Sequence, residues 1–127
     1  MRFVLSLALL LVLGSGSRAA ESFDIPSDDR PIHALLYRPV GEGPFPAIVA
    51  VHDCDGLKNR LGGVRPAIED WGKRLAGAGY VVLYPDSFTS RGLERQCRNN
   101  SPRLRPDRER VADVRAARDW LQQQGYV

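Results

Sequence analysis

The stretch Val49-Ala50-Val51-His52-Asp53-Cys54-Asp55-Gly56-Leu57 sends an apolar run into a polar turn holding an imidazole, two carboxylates and a thiol at successive positions. In open α/β sheets ligands bind at the carboxyl ends of the strands, which is where such a turn lies. Backbone N–H groups on a turn of this kind can point at a developing oxyanion, and that stabilisation is worth several kcal/mol in acyl transfer. Gly56 supplies the backbone freedom the turn needs. A second polar segment, Asp86-Ser87-Phe88 with Arg91 beyond it, follows the next apolar run. For each of these side chains a structural role is open beside the chemical one: His52 as a residue of the turn, Asp86 as a loop anchor, Arg91 as a solvated cation.

Acyl transfer also requires a nucleophile. A Ser or Cys in a Gly-x-[Ser/Cys]-x-Gly elbow would supply it, and no such elbow occurs in the 127 residues. The histidines are His33 and His52, and neither neighbours a serine in a tight turn along the chain. Hydrolysis by these residues alone is therefore not expected. The two cysteines, Cys54 and Cys97, both fall in loops leaving neighbouring strands. A bridge between them is expected in an oxidising compartment; the alternative is a reactive Cys54 thiolate beside His52. A thiol redox pair would need Cys-x-x-Cys, which is absent, and the spacing of Cys and His suits no zinc site.

The elements that must position these groups are legible in outline. Residues 21–25 and 32–37 read as a short antiparallel strand pair, separated by a turn with Pro26 and Pro31. Residues 47–51 and 80–84 are unbroken apolar runs, as in strands covered on both faces. Between them Pro66 suits the first turn of a helix, Glu69 and Asp70 suit its positive end, and Ile68, Trp71 and Leu75 with Ala67 and Ala78 form a stripe. Strand, helix, strand in this order predicts a right-handed βαβ unit and a mostly parallel sheet. Residues 87–105 read as a long polar connection. A last helix is expected from Pro106 to about Gln124, with Val111, Val114, Ala117, Trp120 and Leu121 as its apolar side, and Tyr126-Val127 then reads as the approach to another strand.

Residues 1–20 have the layout of a secretory leader: Arg2, an apolar run over residues 3–13, then small residues up to Ala20. The run is too short to cross a bilayer, so an exported chain, periplasmic or secreted and without a stable membrane anchor, is expected. Of the 18 basic residues, Arg2 and Arg18 lie in the leader, which leaves 16 against 15 acidic ones. The arginines between positions 91 and 110 are interrupted by Glu94, Asp107 and Glu109 and carry no interleaved aromatic residues, so a nucleic-acid face is not expected. Residues 21–127 are read as one domain or part of one.

The motifs Leu36-Tyr37-Arg38-Pro39, Gly43-Pro44-Phe45-Pro46-Ala47-Ile48-Val49, His52-x-Cys54-x-Gly56-Leu57, Leu75-Ala76-Gly77-Ala78-Gly79-Tyr80 and Pro85-Asp86-Ser87-Phe88 with Arg91-Gly92-Leu93 and Cys97 resemble the dienelactone hydrolase family, above all its exported members. The resemblance runs from about residue 23 to 127 and implies the N-terminal part of an α/β-hydrolase three-layer sandwich. It implies hydrolysis of a carboxylic ester or lactone, a small-molecule substrate, through an acyl-enzyme with no cofactor or metal. By that resemblance the Cys54 N–H belongs to the oxyanion hole, and Asp53 sits where some members carry a glutamate near the nucleophile. Asp86 faces the cleft, and Arg91 is placed by proximity where members bind a substrate carboxylate. Asp55 departs from the family's frequent glycine. The nucleophile, acid and base would lie beyond Val127, and the rival reading is an inactive fragment or binding module.

Overall fold

The computed structural model describes residues 18–98 and 104–127. The expected leader falls almost wholly outside them, and no helix among the described residues is long and apolar enough to cross a membrane. Strand β1 (Glu21–Ile25) pairs antiparallel with β2 (Ile32–Tyr37), Glu21 facing Leu36 and Ile25 facing Ile32. Strand β3 (Ala47–Val49), helix α1 (Pro66–Gly77) and β4 (Val81–Pro85) form the expected βαβ unit, with β3 and β4 parallel neighbours. Helix α2 (Glu109–Leu121) follows a short 3₁₀ turn at Thr89–Arg91 and the long connection.

The sheet order is β1-β2-β4-β3. The α/β class is as expected, but the sheet is mixed rather than mostly parallel over the described residues, because β2 also runs antiparallel to β4. Two layers of side chains cover it. Ile25, Ile32, Ala34, Leu36, Val81 and Leu83 pack with Ala117 and Leu121 of α2. Leu35, Tyr37, Val82 and Tyr84 pack on the opposite face with Ala76 of α1 and Leu57 of the turn. Each fully buried aliphatic chain stabilises by roughly 1.5–3 kcal/mol relative to exposure, and strand alternation assigns successive residues to the two layers.

Three expectations shift. Trp71 is 59% exposed, and α1 turns Gly72 and Ala76 inward with Ile68 and Leu75 half-buried. The reason is steric: a Cβ on Gly72 would lie 2.5 Å from the ring of Tyr37, so the missing side chain lets α1 settle on that ring and sets its rotation. In α2 the inner face is Asp113, Ala117 and Leu121, while Val111 is exposed. Tyr126 and Val127 form no strand, although the Phe45 N–H donates to the Tyr126 carbonyl at 2.9 Å beside the start of β3.

Candidate functional site

The turn after β3 is built by its own side chains. Asp53 Oδ1 accepts the Asp55 N–H at 2.9 Å and the Asp53 carbonyl accepts the Gly56 N–H at 3.2 Å. Gly56 adopts φ +80° with the Phe88 ring beside it, so a side chain there would be strained and crowded. Asp53 thus shapes the turn, and Cys54 stands exposed at its tip. Among the described residues no acceptor takes the Cys54 N–H. Its carbonyl accepts the Gln96 N–H at 2.8 Å, and its sulfur is bridged to Cys97 with 4.9 Å between the α-carbons. The reactive-thiolate alternative therefore does not apply to this state.

His52 is buried and committed. Nδ1 lies 2.8 Å from the Asp53 carbonyl, and Nε2 accepts the Ser87 N–H at 3.3 Å. A carbonyl can only accept and an N–H only donate, so the ring is the neutral tautomer with its hydrogen on Nδ1. Its edge meets the Phe88 ring at 4.5 Å between centroids, and Arg110 donates to the His52 carbonyl. Burial holds its pKa below the ordinary imidazole value, and nearby Arg110 adds to this against the opposing pull of the Asp53 carbonyl, Asp86 and Asp53.

Because the folded-state pKa is depressed, the unfolded chain binds the extra proton first. The stability His52 contributes is complete above about pH 6.5 and is lost as pH falls below it towards the folded value, with a slope of up to about 1.4 kcal/mol per pH unit. Urea unfolding between pH 8 and 5 is expected to show this fall, and His52→Asn to flatten it. An unchanged slope in the variant would show that another group is responsible.

Asp86 is buried, and its Oδ1 accepts the N–H groups of Phe88 and Thr89 at 3.1 and 3.0 Å. Its Oδ2 has no partner among the described residues. Asp86 lines a cavity of about 930 Å³ between the turn after β3 and the loop after β4, whose walls include Leu57, Lys58, Arg60, Phe88 and Leu93. A second hollow of about 400 Å³, lined by Val51, His52 and Arg110, opens beside the end of β3. The two walls of the larger cavity are tied together by the disulfide and by Asp55, which pairs with Arg65 at 3.2 Å and with Arg95.

Arg91 takes a different role from a ligand contact. Its guanidinium binds Asp113 through two bonds of 2.9 and 2.8 Å and donates to the Ser87 carbonyl at 2.9 Å, and it lines neither cavity. The side chain is 10% exposed and Asp113 is wholly buried, so this cation is neither solvated nor free for a substrate carboxylate in this arrangement. The structure brings His52, Asp86 and the Cys54 turn together around Ser87 and Phe88, and it holds Arg91 behind them. Asp113 is the residue that sequence reasoning passed over. The available signal was its spacing, four residues before Ala117 and eight before Leu121, which puts a carboxylate in register with the apolar face.

A family model described as the dienelactone hydrolase family matches residues 32–127. YghX of Escherichia coli (strain K12), which carries the name of a hydrolase fragment, is 36% identical over 72 residues, 56% of this chain and 56% of that one. A dienelactone hydrolase structure from Klebsiella pneumoniae subsp. pneumoniae MGH 78578 superposes with a TM-score of 0.65 at 22% identity, over 84% of this chain and 45% of that one. The metagenomic dienelactone hydrolase-like promiscuous phosphotriesterase P91 gives 0.64 at 20% identity, over 88% and 45%. Brefeldin A esterase, a bacterial homologue of human hormone sensitive lipase, gives 0.56 at 25% identity, over 93% and 30%. The chain thus spans about half the length of the curated relative it matches, and less than half of these structures.

Proposed function

Since the chain belongs to the dienelactone hydrolase family, we propose that it forms the oxyanion side and cleft wall of a hydrolase acting on carboxylic ester or lactone bonds through an acyl-enzyme. The observation that carries this is the turn after β3: an Asp53-braced loop at the carboxyl end of a parallel strand, with the Cys54 N–H at its tip taken by no acceptor among the described residues. A donor fixed in that way can meet charge that develops on a carbonyl oxygen without reorganising. In this reading Asp86 serves the cleft from within its wall, its buried carboxylate holding the Phe88 and Thr89 N–H groups so that the loop after β4 keeps its shape beside the substrate. His52 and Arg91 act as positioning residues, His52 by clamping the turn to Ser87 and Arg91 by holding the same segment from behind. The nucleophile elbow, acid and base come from residues outside these 127, and no cofactor is needed. Residues 1–20 act as an export leader ahead of the hydrolase segment 21–127, and the Cys54–Cys97 bridge suits a periplasmic or secreted protein.

Among the described residues β3 is an edge strand of the sheet, which favours a second reading. β3 has β4 as its neighbour on one side, and Val51 and Val111 are exposed. A sheet edge and apolar surface of that kind suit a binding module or inactive fragment that takes a partner. Coding DNA past the Val127 codon separates the two readings. A Gly-x-[Ser/Cys]-x-Gly elbow there, in frame or one base shifted, with lactone hydrolysis by the extended product, is the expected outcome. In that product, on a Cys97→Ser background, Cys54→Pro is expected to lower kcat about 10²–10³-fold relative to Cys54→Ser, which keeps the N–H. Equal rates for the two would remove Cys54 from the oxyanion hole, and an extended product without lactone hydrolysis would leave the binding reading.

A further inference from the structure

On the β1–β2 hairpin, away from the cleft, three side chains form a relay that the family reading does not use. Ser22 Oγ lies 2.8 Å from His33 Nε2, and His33 Nδ1 lies 3.1 Å from Asp24 Oδ1. The residues meet for reasons of register. Alternation puts Ser22 and Asp24 on one face of β1, and the antiparallel pairing sets Asp24 directly opposite His33, one step from Ser22. The backbone of His33 is itself anchored: its N–H donates to Ser90 Oγ at 2.8 Å, and its carbonyl accepts the Asp86 N–H at 2.7 Å. Ser22 and Asp24 are exposed and His33 half-buried, so the hydroxyl is open to solutes.

The proton positions follow from the partners. An ionised carboxylate only accepts, so His33 Nδ1 carries a hydrogen. In the neutral imidazole Nε2 then has a lone pair, and the Ser22 hydroxyl donates to it. A serine whose proton is already aimed at a base oriented by a carboxylate is an activated nucleophile.

We propose that Ser22, with His33 as general base and Asp24 as the residue positioning it, is a second reactive site that accepts acyl groups from small activated esters and phosphonyl groups from fluorophosphonates. With an aryl ester, Ser22 Oγ forms a bond to the carbonyl carbon while its proton passes to His33 Nε2. The C–O bond to the aryl group breaks, and the phenolate leaves with that proton. Water then adds to the acyl-serine, giving a proton to His33, and the acid departs as Ser22 Oγ recovers the proton. With a fluorophosphonate the Oγ–P bond forms, P–F breaks, and fluoride and a proton are released. The open hairpin face keeps water in contact with the site, so it suits good leaving groups rather than amides.

The test uses the full chain, treated with a fluorophosphonate and read by fragment mass spectrometry, beside release of p-nitrophenol from its acetate. The expected result is an adduct on Ser22 in preference to Ser27 and loss of that adduct in Ser22→Ala. His33→Gln is expected to slow labelling about 100-fold or more. Asp24→Asn is expected to slow it less and to displace its pH profile, since the imidazole loses its orienting charge. Circular dichroism identical to that of the parent keeps these rates free of unfolding. Label on other residues, or labelling of Ser22 at an unchanged rate in a folded His33→Gln, overturns the proposal. Because the readout is the labelled serine, it stands or falls apart from lactone hydrolysis in the cleft.

Discussion

Asp113→Ala is expected to lower the stability of the fold by about 3–5 kcal/mol, the cost of leaving a buried charge without its partner. Asp113 is wholly buried on the inner face of α2, and the Arg91 guanidinium meets both of its oxygens in the planar, two-bond geometry that suits arginine. The pairing with Asp113 raises the Arg91 pKa against the opposing effect of burial, and even without that partner a guanidinium is too basic to escape by losing its proton. Removing the carboxylate leaves a fixed charge against the α2 layer, with the Ser87 carbonyl at 2.9 Å, Asp29 at 3.9 Å and the more distant charge of Glu109 left to offset it. The damage should reach the cleft, because the Ser87 N–H is the group that clamps His52.

The pair itself is another matter. Two apolar residues of similar volume avoid both desolvation costs, and such replacements are often neutral or stabilising. Arg91→Met together with Asp113→Leu should therefore recover most of what Asp113→Ala loses. Urea unfolding of the two single variants and the double variant checks this. A double variant as unstable as Asp113→Ala would show that the guanidinium's bond to Ser87, rather than the ion pair, holds the segment.

What could be read beforehand divides along the range of the interactions. The run read at 80–84 and the glycine at 56 were legible because each is a local demand, continuous apolar side chains for the doubly covered β4 or a positive φ in a turn, whereas the run read at 47–51 forms a strand only at 47–49 and is exposed to half-buried there rather than covered on both faces. The disulfide was legible from parity and from the two loops lying at neighbouring strand ends. Asp113 was not, because its partner lies 22 positions away in a connection that carries no periodicity. Trp71 misled for a related reason. Its size weighted the apolar stripe, while the contact that orients α1 is the absence of a side chain at Gly72 against Tyr37, a residue of another strand. The Ser22–His33–Asp24 relay needed the register of β1 on β2, which the proline-bounded turn at 26–31 sets and which composition does not reveal.

Opening the Cys54–Cys97 bridge is expected to have the other large effect. It closes a separation of 43 residues, which on the chain-entropy account corresponds to about 4 kcal/mol. For a domain of this size that amounts to roughly 15–30 °C in Tm. Thermal melts with and without dithiothreitol should show the shift in the parent chain and none in Cys54→Ser with Cys97→Ser, whose melt should lie near that of the reduced parent. A parent melt that ignores the reductant would sink the estimate. The local consequence should be smaller than the global one. The Gln96 N–H on the Cys54 carbonyl and the Arg95–Asp55 ion pair cross the same gap, and Asp53 braces the turn from within. Far below the melting temperature the reduced chain should keep the turn that presents the Cys54 N–H, because the bridge acts mainly on the unfolded ensemble while these bonds act on the folded one. Amide exchange at Asp55 and Gly56 that stays slow in the reduced protein would bear this out, and fast exchange there would make the bridge itself the brace of the proposed oxyanion turn.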